Sequence, residues 1–509
     1  MTKPFKSLAW FLGIAGLPLL VTPASAQIFT NKNFVTINAN DSRQEIIRKA
    51  ANVVPSARQL NWQQLELTAF IHFGVNTYTN KEWGDGTEDP RIFNPEKLDA
   101  RQWVKVLKDA GFKQVILTAK HHDGFCLWPS KFTEYTLKNS PYKNGTGDIV
   151  KETAEACKEF GVGFGIYLSP WDRNSEYFGS AAYNDYFINQ LTELLTNYGQ
   201  VDEVWFDGAN GEGPTGKKQV YEYNRWYQLI RKLQPKATIA VSGPDVRWVG
   251  TETGYGRETE WSVVPGDELK TETIADNSQK QVEFAPKDLM AKDLGGREKI
   301  AKAKNLVWYP AETDVSIRPG WFYHPEEDQK VKTPEKLMDI YYSSVGRNGV
   351  LLLNIPPDKN GLINAHDEAS LKGFKALLDQ TFKDNLLKNA AIKGRKSKVL
   401  THLTDGKLDT YFPTSAKDTT LTIDFKMNQA QNFDVLLLQE NIKIGQRVEQ
   451  FVFEYKEGNQ WKVAAEGTTI GYKRLLRFPA VKASEVRLRI TGSRLNPALA
   501  EIGLFKKAG

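Results

Sequence analysis

Residues 114–125 read QVILTAKHHDGF: an apolar run of strand length that stops abruptly at Lys120-His121-His122-Asp123-Gly124. Runs of the same kind recur on both sides of it, at AFIHFG (69–74), VGFGIYL (162–168), VDEVWF (201–206), ATIAV (237–241), LVWYP (306–310) and GVLLLNI (349–355). The segments between them carry helical periods. Trp103, Val106, Leu107 and Ala110 stand at i, i+3, i+4 and i+7 before Gly111, and Asp148 is placed to N-cap a helix carrying Val150, Ala154 and Cys157 that ends at Gly161. Strands without polar alternation, joined by helices, are buried on both faces and belong to a parallel sheet. Eight or so such units over roughly 300 residues predict an α/β fold of the (β/α)8-like, TIM-barrel type. A doubly wound sheet would need a glycine-rich phosphate turn after its first strand, and GVNTYTN after Phe73 is not one.

Past residue 390 the texture changes. LTIDFK, FDVLLLQE, EQFVFEYK, RLLRFP and EVRLRIT are short alternating strands without helical periods, which predicts a C-terminal β-sandwich; the segment resembles the galactose-binding-like, discoidin-type sandwich. Its only tryptophan is Trp461, so a packing or accessory role is favoured over a lectin site. The expected division is a leader at 1–26, a catalytic barrel at 27–385 and an accessory sandwich at 386–509. Residues 1–26 combine Lys3 and Lys6, an apolar run from Leu8 to Val21 and a small-x-small site at Ala24-Ser25-Ala26, which is the pattern of a signal peptide. The expectation is export, to a periplasm or out of the cell, with no membrane span. The two cysteines, Cys126 and Cys157, are too few for a disulfide scaffold and are expected as separate buried thiols. A net charge of +6 in 509 residues is too weak and dispersed to argue for nucleic acid.

In a barrel, function lies at the carboxyl ends of the strands. Those ends deliver His72, then His121 and His122, then Tyr167, Trp171 and Asp172, then Asp207-Gly208. Three of the chain's six histidines thus fall at two strand ends. Asp207 reads as a nucleophile or base between aromatic walls, the alternative being a helix cap. A partner carboxyl would come from Glu252, Glu258, Glu260 or Glu312, among which periodicity does not choose. Adjacent residues in extended chain point to opposite faces, so His121 and His122 are unsuited to one metal; hydrogen bonds to a polyhydroxyl ligand fit them better. Asp85–Asp89 and Asp358–Gly361 read as ordinary turns rather than calcium loops. No phosphate loop and no G-x-S-x-G elbow is present. Eleven of the thirteen tryptophans lie between Trp62 and Trp321, which suits a large core or a sugar-stacking cleft.

Four ordered motifs, FIHFGVNTYTNKEWG (70–84), TAKHHDGFCLWPS (118–130), YLSPWD (167–172) and VWFDGANGEG (204–213), together resemble the α-L-fucosidases of glycoside hydrolase family 29. The resemblance covers roughly residues 60–360. It implies retaining hydrolysis of terminal α-L-fucose from fucosylated glycans, without a cofactor or metal. It implies Asp207 as the nucleophile, His72, His121 and His122 as ligands of fucose hydroxyls, and Glu82, Trp83 and Tyr167 as further pocket residues. GPDVRWVGTETG (243–254) and PAETDVSIRPGWFYH (310–324) resemble the subfamily restricted to α-1,3/1,4 linkages, which would make Glu252 the acid/base, with Glu258 and Glu260 as rivals, and Trp321 a pocket wall. A fucosidase that also cuts α-1,2 links, transfer in place of hydrolysis, and a non-catalytic glycan-binding protein are the competing readings.

Overall fold

The computed structural model describes residues 32–266, 292–393 and 401–508; the expected leader at 1–26 lies outside them. The barrel strands are Leu67–Ile71 (β1), Gln114–Lys120 (β2), Gly163–Leu168 (β3), Glu203–Phe206 (β4), Thr238–Val241 (β5), Arg247–Trp248 (β6), Ala311–Ser316 (β7) and Val350–Asn354 (β8). They pair in parallel in the order β5-β4-β3-β2-β1-β8-β7-β6, so the sheet closes almost fully and opens only between β5 and β6. Successive residues of each strand face opposite sides, which divides a continuous apolar run between two cores. Ala69, Ile71, Val115 and Leu117 face the helices, while Phe70, Ile116, Tyr167 and Trp205 fill the barrel interior with Trp62, Trp248 and Leu352.

The helices start and stop where their ends dictate. The Asp99 side chain accepts from the Arg101 and Gln102 amides ahead of Ala100–Asp109. The Asp148 side chain accepts from the Lys151 amide, and Gly161 closes that helix at φ 66°, in the left-handed region that glycine tolerates. Cys126 and Cys157 are both buried and unbonded. Among the described residues, no helix is long and apolar enough to cross a membrane.

One expected barrel strand is placed elsewhere. Asn305–Trp308, the core of LVWYP, pairs antiparallel with Phe34–Thr36 and Val263–Pro265 in a separate three-stranded sheet. The barrel position belongs instead to Ala311–Ser316, sequence AETDVS, which lacks the apolar texture of the other strands because its inward residues are polar. Glu312 receives the Trp205 indole N–H at 2.7 Å, Asp314 receives that of Trp248 at 2.8 Å, and Ser316 receives the Asn354 amide at 2.9 Å.

The C-terminal domain is antiparallel, as the alternating pattern predicts. Two twenty-residue strands, Leu421–Glu440 and Arg474–Ser493, pair with register shifts, and Val448–Glu457, Gln460–Gly467 and Leu499–Phe505 flank them. Ile423, Phe425, Phe433, Phe451, Phe453 and Leu488 lie within a core separate from the barrel's. The Arg487 guanidinium lies 4.0 Å from the centre of the Trp461 ring, so one face of that ring is covered.

The ends of β2 and β3 are locked by a fully buried ion pair. Lys120 Nζ lies 2.8 Å from Asp172 Oδ2 and 3.0 Å from Gln190 Oε1, with the rings of Tyr183, Tyr186 and Phe187 around it. Asp172 Oδ1 accepts from the amides of Asn174 and Ser175, so the carboxylate is satisfied on both oxygens. Removing one member leaves an uncompensated buried charge, at a cost of about 3–5 kcal/mol. Lys120→Met is therefore expected to lower the stability measured by urea unfolding by that amount. A change under about 0.5 kcal/mol would show that the pair does not hold the strand ends.

Candidate active site

Asp207 follows β4 at the mouth of the barrel and is the only member of VWFD that reaches solvent, its side chain being 26% exposed. Oδ1 accepts from the Ala209 amide at 2.7 Å, which fixes the carboxylate through a tight local turn. Oδ2 accepts from the Tyr167 hydroxyl at 3.3 Å and lies 3.8 Å from His122 Nε2. The helix-cap alternative fails: the next helix begins at Tyr223, with Glu222 at its cap. Tyr167, at the end of β3, stacks on Trp205 at 5.3 Å and beside His121 at 5.8 Å.

The three histidines share one wall. His121 and His122 do not point to opposite faces: their rings lie 4.2 Å apart, because the chain leaves β2 in a turn closed by Gly124 N–H to His121 O. His72 lies 5.6 Å from His121. Their tautomers follow from their partners. The Ser169 hydroxyl gives its one proton to the Trp171 carbonyl at 2.6 Å, so it accepts from His122 Nδ1–H at 2.8 Å. The Asn354 amide nitrogen donates to the Trp321 carbonyl and to Ser316, so its oxygen accepts from His72 Nδ1–H at 2.8 Å. Both rings therefore carry a lone pair on Nε2. Burial depresses all three: His72 falls to about 3, with the His122 charge adding to the effect, His121 falls well below its ordinary value, and His122 falls despite the opposing pull of Asp207. Neutral imidazoles, each one donor and one acceptor, suit hydroxyl groups better than a cation would.

The aromatic walls come from separate loops. Trp83 is 52% exposed and meets His122 and Trp171 edge-on at 5.8 and 5.7 Å. Trp321 is half-buried, against the interior aromatic cluster and 5.2 Å from His72. Glu82, expected to line the pocket, holds this wall from behind. Its carboxylate accepts from the amides of Trp321 (2.8 Å) and Phe322 (3.3 Å) and from His324 Nε2 (2.6 Å).

The four candidate partner carboxyls separate clearly. Glu258 is exposed and faces Arg347, away from the cleft. Glu260 is buried and committed to Arg247 and Arg257. Glu312 lies deep in the barrel against Trp205. Glu252 stands exposed at the mouth, among Asp207, Glu82 and Trp321. Crowding by surrounding protein raises its pKa first, and the Asp207 charge raises it further, with the Trp321 indole opposing. Asp314 lies beneath it and is pushed well up by burial and by the Glu252 charge.

Sequence reasoning overlooked Asn354, Ser169, His324 and Asp314. Asn354 ends the GVLLLNI strand, and its place at a strand end was the available signal.

Because Glu82 receives two amides of the Trp321 loop, Glu82→Ala is expected to speed hydrogen exchange at Trp321 and Phe322 by roughly fivefold or more, about 1 kcal/mol. Unchanged protection there would show that the loop is held by other contacts.

A family model described as Alpha-L-fucosidase matches residues 35–381. The chain is similar to Alpha-L-fucosidase 1 of Arabidopsis thaliana, 42% identical over 464 residues that cover 89% of this chain and 87% of the relative. Among solved structures, it is similar to a Bacteroides ovatus protein assigned provisionally as an α-L-fucosidase (50% identity, TM-score 0.83, covering 94% of this chain and 78% of the other). It is also similar to a Ruminococcus gnavus GH29 fucosidase in complex with fucose (33% identity, TM-score 0.77, covering 89% and 95%). With a nearly closed barrel, a carboxylate at the end of β4 and neutral histidines beside it, the chain belongs to the α-L-fucosidase family of glycoside hydrolases, GH29.

Proposed function

We propose that the chain is an exported, retaining exo-α-L-fucosidase that removes α-1,3/1,4-linked fucose from branched, Lewis-type glycans, with Asp207 as nucleophile and Glu252 as acid/base. The observation that carries this reading is the pairing of two unlike carboxyls at one mouth. Asp207 is held by an amide N–H and a phenol, whereas Glu252 faces no guanidinium among the described residues, and crowding and then the Asp207 charge raise its pKa. Such divergence separates a nucleophile from an acid. Asp207 Oδ attacks the anomeric carbon as Glu252 gives its proton to the departing glycosidic oxygen, forming a fucosyl ester. Glu252, now a carboxylate, takes a proton from water, whose oxygen attacks the same carbon and releases Asp207. His72 and His122 offer Nε2 lone pairs to sugar hydroxyls, and Trp321 and Trp83 offer faces to the apolar side of the ring. The linkage preference rests on the motifs around Glu252 and Trp321, and export rests on the leader pattern at 1–26.

An equal mixture of 3-fucosyllactose and 2′-fucosyllactose, followed by chromatography, tests the linkage: the 3-linked sugar alone is expected to be consumed. Consumption of both would keep the fucosidase and overturn the restriction. Asp207→Asn should lower turnover by on the order of 10⁴-fold while retaining fucose binding, and near-normal turnover in folded protein would remove Asp207 from its role.

The proton donor gives a pH signature. Glu252 acts only while protonated, so its contribution is present below its pKa and lost above it; a raised pKa carries that loss to higher pH. The alkaline fall of kcat/KM is expected with 3-fucosyllactose and to be absent or shifted upward with 2,4-dinitrophenyl fucoside, whose leaving group needs no proton. The same limb on both substrates would count against Glu252 as the acid.

A further inference from the structure

The Glu252 loop leaves β6 at Trp248 and is tied at its base to β7, through Val249 N–H to Glu312 O at 2.8 Å and Gly254 N–H to Asp314 O at 3.1 Å. Gly254 has φ 77°, and a Cβ there would meet Val315 and Ile340 at 2.9 Å, so the loop turns tightly against the barrel wall. Beyond it, the contacts are shared between two domains: the barrel gives Ser343 O to the Gly256 amide at 2.6 Å, Arg347 to Gly256 O at 3.0 Å and Asn348 Nδ2 to Glu260 O at 3.2 Å, and the C-terminal domain gives the others. The Gln446 side chain spans two peptide groups, accepting from Ser262 N–H at 2.8 Å and donating to Glu260 O at 2.9 Å. Thr469 Oγ1 accepts from the Glu260 amide at 3.0 Å. Thr468 Oγ1 lies 3.2 Å from Glu258 O and 2.9 Å from Thr259 Oγ1, and Arg474 donates to Glu258 O at 2.6 Å. Tyr255 is held too, since its hydroxyl donates to Asp339, whose other oxygen receives Arg477. Gln446, Thr468, Thr469, Arg474 and Arg477 all belong to the C-terminal domain.

These bonds have a common geometry. Gln446 and Thr469 are almost fully buried, and their partners are main-chain groups. Residues 258–260, whose ladder pairing is the single Thr259–Asp293 bridge, thus obtain from side chains much of the pairing that a strand would obtain from a ladder. Buried side chain to main chain bonds fix backbone position, and leaving their partners open is costly. The position of residues 258–262, which begin only six residues from Glu252, is therefore set jointly by the C-terminal domain and by Asn348, Arg247 and Tyr309 of the barrel domain.

We infer that the C-terminal domain is part of the catalytic apparatus, with Gln446 and Thr468 as positioning residues that set the stem of the loop presenting Glu252 to the glycosidic oxygen. The inference rests on Glu252 being the acid/base. It gives the domain a duty distinct from sugar binding: loosening the clamp should weaken proton donation while leaving attack by Asp207 intact.

Leaving-group dependence separates those two effects. Full-length Gln446→Leu and the milder Thr468→Val are compared with wild type and Glu252→Ala, using kcat/KM on 3-fucosyllactose, which requires a proton, and on 2,4-dinitrophenyl fucoside, which does not. Melting temperatures identify any variant that has lost its fold, and Thr468→Val carries the test if Gln446→Leu has. The expected result is a fall on the order of 10- to 100-fold for 3-fucosyllactose in at least one folded clamp variant, with less than about threefold change for the aryl fucoside, a partial copy of Glu252→Ala. If Glu252→Ala shows the split and folded clamp variants lower both substrates equally or neither, the clamp inference is overturned. If Glu252→Ala itself shows no split, the premise about Glu252 has failed instead.

Discussion

Asp207 sits where an apolar strand meets water, and the rest of the site follows from how its carboxylate is held and aimed. A carboxylate at the end of EVWF has little apolar alternative: one oxygen is held by the Ala209 amide and the other by the Tyr167 hydroxyl. Tyr167 is placed by stacking on Trp205. Trp205 in turn gives its indole N–H to Glu312 on β7. The position of Asp207 is thereby referred through an aromatic stack to β7. Crowding and then the Asp207 charge raise the pKa of Glu252, while burial lowers those of the histidines.

The barrel interior beneath this mouth is unusually acidic. Glu203 receives the Trp62 indole and the Gln114 amide, Glu312 receives Trp205 and Asp314 receives Trp248. Burial pushes all three pKa values up, with the Asp245 and Asp202 charges adding to it at Glu203, the Glu203 charge at Glu312 and the Glu252 charge at Asp314. Carboxyls in such a setting are held neutral rather than ionised. The concentration of tryptophan in this half of the chain follows: an indole is large enough to fill a barrel and carries one donor to satisfy an acid within it.

Much of this was legible in sequence, for identifiable reasons. Uniformly apolar runs separated by amphipathic helices fix a parallel sheet, and strand ends then locate His72, the paired histidines and Asp207. Two signals misled. LVWYP has the texture of a barrel strand but joins a small antiparallel sheet, since burial on both faces looks alike in any sheet. AETDVS hides a barrel strand because its inward positions are acids whose tryptophan partners are distant in sequence. The adjacency of His121 and His122 was likewise hidden, because it depends on where the strand stops. The motif GPDVRWVGTETG favours Glu252 by resemblance, and what only three dimensions add is that Glu258 and Glu260 face Arg347, Arg247 and Arg257.

Retaining hydrolysis as proposed requires a covalent bond between fucose and Asp207. Incubation with 2-deoxy-2-fluorofucosyl fluoride, which forms the ester readily and releases it slowly, followed by proteolysis and peptide mass spectrometry, tests it directly. The predicted result is one equivalent of fluorofucose on the peptide containing Asp207, lost on reactivation. Label on another carboxylate, or catalysis that proceeds with no adduct and with inversion at the anomeric carbon, would contradict it.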